Sequence, residues 1–373
     1  MRLNASDLAA LNAATPPAPL DAFDHWQAGV DLDELPPGHF LLLPLIYHNL
    51  EAHDSAHPWL PRIRGVHNKI WYASRMAQQA LLRVVTALRA DGHPVLLAGA
   101  AALAQDVYPI PTLRPLFRPE FIVPVESCDR AIEILIAQGW RPDPAAPCLS
   151  SAAFRTWVCG QRFVNGQAQT IWLNWHAVPG LPCPDLDRSC WSSAAPLQFD
   201  DVSLLTLCPT HHLLRLSLAN RDDRLITLVD ATLLLRSTTV DWPQLVEIAR
   251  RFHVGSPLLR FWNLLAETRR VEIPSESLRA LRTLPTSFAE RQAAEIDDQA
   301  SFPQRAWRVL ADYERSARCA GESHGPLSLA TYLQHTRRLA SRWQLPGNLL
   351  RPTLKIPPDK LKVGAAHRWH TRP

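Results

Sequence analysis

Residues Gly92 to Gly139 read GHPVLLAGAAALAQDVYPIPTLRPLFRPEFIVPVESCDRAIEILIAQG. Pro94 to Leu97 is an apolar run too short for a helix that stops at Gly99, and the AAALAQDVY that follows has the small, helix-favouring composition of a helix start. The unit is strand, tight glycine turn, helix. Glycine at such a turn lets backbone N–H groups approach a ligand, and the helix N-terminus beyond it carries partial positive charge. Gly99 and Ala100 are therefore candidate phosphate-binding residues, although the same turn also serves plain packing. A second buried strand is predicted at Phe121 to Val125. A helix over Asp129 to Gln138 follows, with Ala131, Ile132, Leu135 and Ile136 on one face and Gly139 as its C-cap. This order gives a mixed α/β unit.

Outward from that unit the chain divides into four. Residues 1–91 read as an N-terminal helical region: SDLAALNAA, then FLLLPLIYHNLEAH with Pro44 limiting one helix, then IWYASRMAQQALLRVVTALRA with an apolar stripe of Leu81, Val84, Val85 and Leu88. Residues 92–200 form the mixed-sheet core. Within it, strands from Phe154 to Val164 and from Ala168 to Trp175 flank Asn165-Gly166, a hairpin signal because both residues tolerate positive φ. Residues 201–317 return to helices, and 318–373 form a basic, Pro-containing, weakly ordered end carrying Arg337, Arg338, Arg342, Arg351, Lys355, Lys360, Lys362, Arg368 and Arg372. The fold class is α+β, a mixed-sheet core flanked by helical regions.

Composition sets limits on function. At 373 residues and 47% hydrophobic, the chain can bury a large core, and no stretch approaches the ~18 apolar residues of a membrane span. The N-terminus lacks a secretory pattern, and the seven cysteines are odd in number and scattered, which suits reduced thiols and a cytoplasmic location without a zinc site. A net charge of +4 does not call for nucleic acid. There is no Gly-x-Ser-x-Gly, Walker loop or His-Glu-x-x-His. Asp31-x-Asp33 and Asp185-x-Asp187 lack the apolar flanks of a buried strand. Adjacent His211 and His212 on a helix point about 100° apart and cannot chelate together. Trp157, Trp172, Trp175 and Trp191 gather around the second hairpin, where packing is the simpler role.

Gly99, Tyr108-Pro109, Arg114-Pro115, the strand after Arg118-Pro119-Glu120, the strand Ile171-Trp172-Leu173-Asn174-Trp175, and downstream Val229-Asp230 and Asp241-Trp242 occur in a fixed order. In that order the chain, over roughly Leu41 to Ala266, resembles the bacterial uncharacterised nucleotidyltransferases, a branch of the polymerase-beta-like superfamily. The resemblance implies a nucleotidyltransferase-like sheet. Family members have Lys before the glycine, Asp-x-Asp on the second strand and a third Asp on a later one. Here those positions hold Ala98, Arg118 with Glu120, and Trp172, so Glu120 alone is left as a catalytic candidate.

Metal-dependent nucleotidyl transfer needs carboxylates two apart on a strand, which face the same way, to hold Mg²⁺. Arg118 at one of those places would repel a dication by roughly 8 kcal/mol at ~4 Å and an effective dielectric near 20, a ceiling because the side chain can swing away. Arg114 and Arg118 could instead hold phosphate without metal, or flank a solvated loop. Three readings follow. One is a nucleotide- or partner-binding accessory or regulatory protein, which the resemblance would place in a bacterial biosynthetic pathway. Another is an active enzyme using NTP and Mg²⁺ with acids such as Asp106 or Asp129 brought to Glu120. The last is a scaffold for a protein or peptide.

Overall fold

Asn4 starts the first helix: its side chain accepts from the N–H of Asp7 while the Asp7 carboxylate accepts from the N–H of Asn4, a reciprocal capping box. The computed structural model describes residues 3–15, 20–54, 56–146, 149–219, 224–269, 271–294, 302–322 and 325–345. Cys148 and the basic residues from Arg351 to Arg372 lie outside the described residues. The N-terminal helices are α1 (Ala5–Ala14), α2 (Leu20–Ala28), α3 (Pro37–His53) and α4 (Leu60–Ala90). Pro44 does not limit α3, which runs through it. Leu41 to Tyr47 are buried without a break, and packing on all sides outweighs the one backbone hydrogen bond that proline removes. On α4 the stripe Leu81, Val84, Val85 and Leu88 is fully buried, as its spacing predicts.

The core follows as β1 (Leu96–Ala98), α5 (Gly99–Asp106), β2 (Glu120–Ile122), α6 (Cys128–Ala137), β3 (Arg141–Pro142), α7 (Ala152–Trp157), β4 (Gly160–Val164), β5 (Thr170–Asn174), α8 (Pro184–Ser192), β6 (Ala195–Phe199) and β7 (Val202–Thr206). Gly139 ends α6 at φ +82°, with its N–H bonded to Ile136 O and the Trp140 N–H to Leu135 O, a full Schellman closure. The hairpin differs from expectation in two ways. Residues 152–157 are helical, and the residue at positive φ in the turn is Ala168 at 58°. Asn165 Oδ1 accepts from the N–H groups of Gln167 and Gln169, so its side chain shapes a turn closed by a left-handed fourth residue, where a two-residue primed turn was expected.

The sheet order is β3-β4-β5-β2-β1-β7-β6, with β1/β7 and β2/β5 parallel and the remaining pairs antiparallel. Beyond it come α9 (Pro209–Ser217), α10 (Arg224–Ser237), α11 (Trp242–Arg251), α12 (Gly255–Arg269), α13 (Ser275–Thr283), α14 (Phe288–Ala294), α15 (Phe302–Ala320) and α16 (Pro326–Thr336). Alternation along the strands divides the core. Leu96, Ala98 and Ile122 pack with α1–α3 and α9–α13, whereas Leu97, Phe121 and Leu173 pack with α4 and α6. Pro326–Thr336, expected in the weakly ordered end, is helical, and its Tyr332 packs with Trp157, Tyr313 and Ala317. Among the described residues no helix is long and apolar enough to cross a membrane.

Candidate functional site

Register decides which side chains meet. Ala98 pairs with Glu120, Glu120 with Trp172, and Trp172 with Arg162, so these four form one row across β1, β2, β5 and β4. Neighbours in such a row share a face, here that of Leu96 and Ile122. The separate positions picked from the sequence are thus brought together: Ala98, Glu120 and Trp172 are adjacent, with exposed Arg118 two residues before Glu120. The Gly99 turn lies at the end of the row. Gly99 has φ +59°, and a Cβ there would fall 1.7 Å from Glu120 Oε1. The glycine is required both by its backbone conformation and by the carboxylate pressed against it. Glu120 thus places its own negative charge beside the first turn of α5, where a phosphate would be expected.

The partner of Glu120 was not foreseen. Arg215 on α9 donates to Glu120 Oε2 at 2.5 Å and also to the carbonyl of Ala177. Its side chain is 6% exposed and that of Glu120 23%. A signal existed, since Arg215 interrupts the apolar run Leu213-Leu214-Arg215-Leu216, and a guanidinium on a buried helical face must have a partner.

Arg114 is engaged elsewhere. Its Nε lies 2.9 Å from Asp230 Oδ1 and its Nη2 2.9 Å from Asp230 Oδ2, while the Tyr108 hydroxyl donates to Oδ1 at 2.6 Å. Tyr108, Arg114 and Asp230, three landmarks spread over the sequence, are therefore one buried cluster tying the segment after α5 to α10. Asp106 lies at the far end of α5, about 10 Å from Gly99 at 1.5 Å per residue. Asp129 lies beyond the opposite end of β2 from Glu120 and pairs with Arg155. Neither joins Glu120.

The other motifs disperse. Asp33 pairs with Arg62, and Asp185 with Arg188 and Arg251. Asp187 accepts from the N–H of Ala177 at 2.7 Å and meets His176 Nδ1 at 2.6 Å. Trp175 is buried, and its indole donates to Arg155 O. Among the described residues no group of three or more His, Cys, Asp or Glu side chains is placed to hold a metal. Shallow hollows of about 200 and 310 Å³ lie elsewhere, one between α1, α2 and α3 and one between α4, α5 and the 111–116 segment; neither is lined by Gly99 or Glu120.

His211 and His212 diverge as their adjacency requires. The Thr206 hydroxyl donates to Leu97 O and so accepts from His212 Nε2–H. Burial, reinforced by Arg215 and His211, pushes the His212 imidazole down to about 3. An unfolded histidine takes its proton near 6.5, so on acidification the unfolded chain gains a proton that the folded one refuses. Stability due to His212 is fully present above pH 6.5 and is lost as pH falls toward 3. Urea unfolding of the wild type is expected to lose about 2 kcal/mol more than a His212→Gln variant between pH 7.5 and pH 5. Equal losses in the two proteins would refute this.

A mixed sheet flanked by helices, with a glycine turn on one strand facing a carboxylate on the next, defines a nucleotidyltransferase-like α+β protein. The chain belongs to the uncharacterised nucleotidyltransferase family, which matches residues 41–269. No curated protein matches it.

Proposed function

We propose that this chain is a non-catalytic member of its family, an accessory or regulatory protein of a biosynthetic pathway that binds a nucleotide or a partner without turnover. The observation that carries the reading is the Glu120–Arg215 pair: the last carboxylate of the row is bonded to a buried guanidinium and pressed against Gly99. The donor set does not fit the family's Mg²⁺. Trp172 offers no carboxylate oxygen, Arg118 carries positive charge, and Glu120 already neutralises Arg215. The active-enzyme reading needs a second acid, and Asp106 and Asp129 lie away from Glu120.

Calorimetric titration with each nucleoside triphosphate, with and without Mg²⁺ or Mn²⁺, tests this beside an assay for pyrophosphate. The expected result is no pyrophosphate, with any binding independent of metal and weakened in Arg118→Ala. Arg114→Ala is a poor probe here, because that residue also holds Asp230. Metal-dependent binding together with pyrophosphate release would overturn the proposal.

A further inference from the structure

A second group of reactive side chains lies at the same end of the sheet, one strand away from the Gly99 turn. β7 runs parallel to β1 with Leu97 opposite Thr206, so Cys208, just past β7, leaves the sheet beside Gly99. Cys208 is the N-cap of α9 and is partly exposed. Its Sγ lies 3.2 Å from His211 Nδ1, and Ser193 Oγ lies 3.5 Å from the sulfur and 3.1 Å from the same nitrogen. Ser189 Oγ, 3.4 Å from His211 Nε2, fixes the other edge of the fully buried imidazole. The groups facing the sulfur are His211 from its own helix and Ser193 and Cys190 from the α8 side.

We infer that Cys208, with His211 and Ser193, is a nucleophilic thiolate site that takes peroxide. A helix N-terminus and an imidazole both favour the charged sulfur. The Ser193 hydroxyl can also donate to Ser189 O, 2.9 Å away, so rotation toward the sulfur supplies a further donor once the thiol ionises. In the reaction the thiolate attacks one peroxide oxygen, an S–O bond forms as the O–O bond breaks, and hydroxide leaves to be protonated by solvent. Sulfur loses two electrons to the peroxide and becomes a sulfenic acid.

Among the described residues the other thiols give the contrast. Burial raises the Cys208 thiol, but its bonds to His211 and Ser193 bring it down to about 7. Burial pushes Cys128 and Cys159 up to about 12 and Cys190 strongly up as well. Cys183 is also lowered, chiefly by its contact with Cys319, yet it is 2% exposed.

Brief treatment of the full chain with hydrogen peroxide and dimedone, with adducts mapped by mass spectrometry, tests the inference. Cys208 is expected to label at least tenfold faster than any other cysteine, and its iodoacetamide rate to reach half its maximum near pH 7. Ser193→Ala should slow labelling at pH 7 about threefold and move that midpoint upward. Even labelling of all cysteines, faster labelling at Cys183, a midpoint at the ordinary thiol value near 8.5, or an unchanged Ser193→Ala profile would each overturn it.

Discussion

Glu120→Ala is expected to lower the unfolding free energy by about 3–5 kcal/mol, because it strands the Arg215 guanidinium inside α9 with only the carbonyl of Ala177 to answer it. The sign is informative. A carboxylate kept for metal binding is usually held at some expense to stability, and its removal leaves a fold unchanged or firmer. A carboxylate serving as counter-ion to a buried arginine has the opposite effect. The double variant Glu120→Ala with Arg215→Met should regain most of the loss, since it removes the charge that burial penalises. Urea unfolding with the slope held constant measures all three proteins. A loss under about 1 kcal/mol for Glu120→Ala, or no recovery in the double variant, would remove the counter-ion role and with it the main support for a non-catalytic protein.

The local turns and caps were readable where one residue dictates one backbone state. Gly139 closes α6 and Gly99 turns the chain at positive φ, because few other residues adopt those conformations. The burial of the α4 stripe follows from its period alone. Reading failed where distant contacts override local preference. Pro44 was expected to limit a helix, but surrounding side chains keep α3 continuous. Asn165-Gly166 marked the hairpin, yet the strain of positive φ fell on Ala168 because the Asn165 side chain preferred two backbone donors. The row Ala98, Glu120 and Trp172 could be lined up only through the family resemblance, and the pairing of β2 with β5 places it in space. Arg215 lies 95 residues from Glu120 in sequence, and no spacing rule links two such positions.

Tyr108, Arg114 and Asp230 extend the same point to three landmarks of the family resemblance that bind one another. Asp230→Ala is expected to cost about 3–5 kcal/mol, since Asp230 is 1% exposed and accepts the Tyr108 hydroxyl together with the Nε and Nη2 groups of one edge of the Arg114 guanidinium. Burial, followed by the Asp230 charge, raises the Tyr108 phenol well above its usual range, so it remains a neutral donor at any ordinary pH. Tyr108→Phe removes one donor and leaves the ion pair, and should cost about 1.5–3 kcal/mol, the worth of a hydrogen bond to a charged acceptor. The two losses should not add: in Asp230→Ala, Tyr108→Phe should cost much less than it does alone, because its acceptor is already gone. Denaturant unfolding of the two single variants and the double variant measures that coupling. Strict additivity would mean that the Tyr108 hydroxyl does not act on the Asp230 carboxylate. A strong coupling fixes Asp230 as the acceptor of the Tyr108 hydroxyl, and since the same carboxylate receives Arg114 Nη2 on its other oxygen, one buried anion ties the segment after α5 to α10.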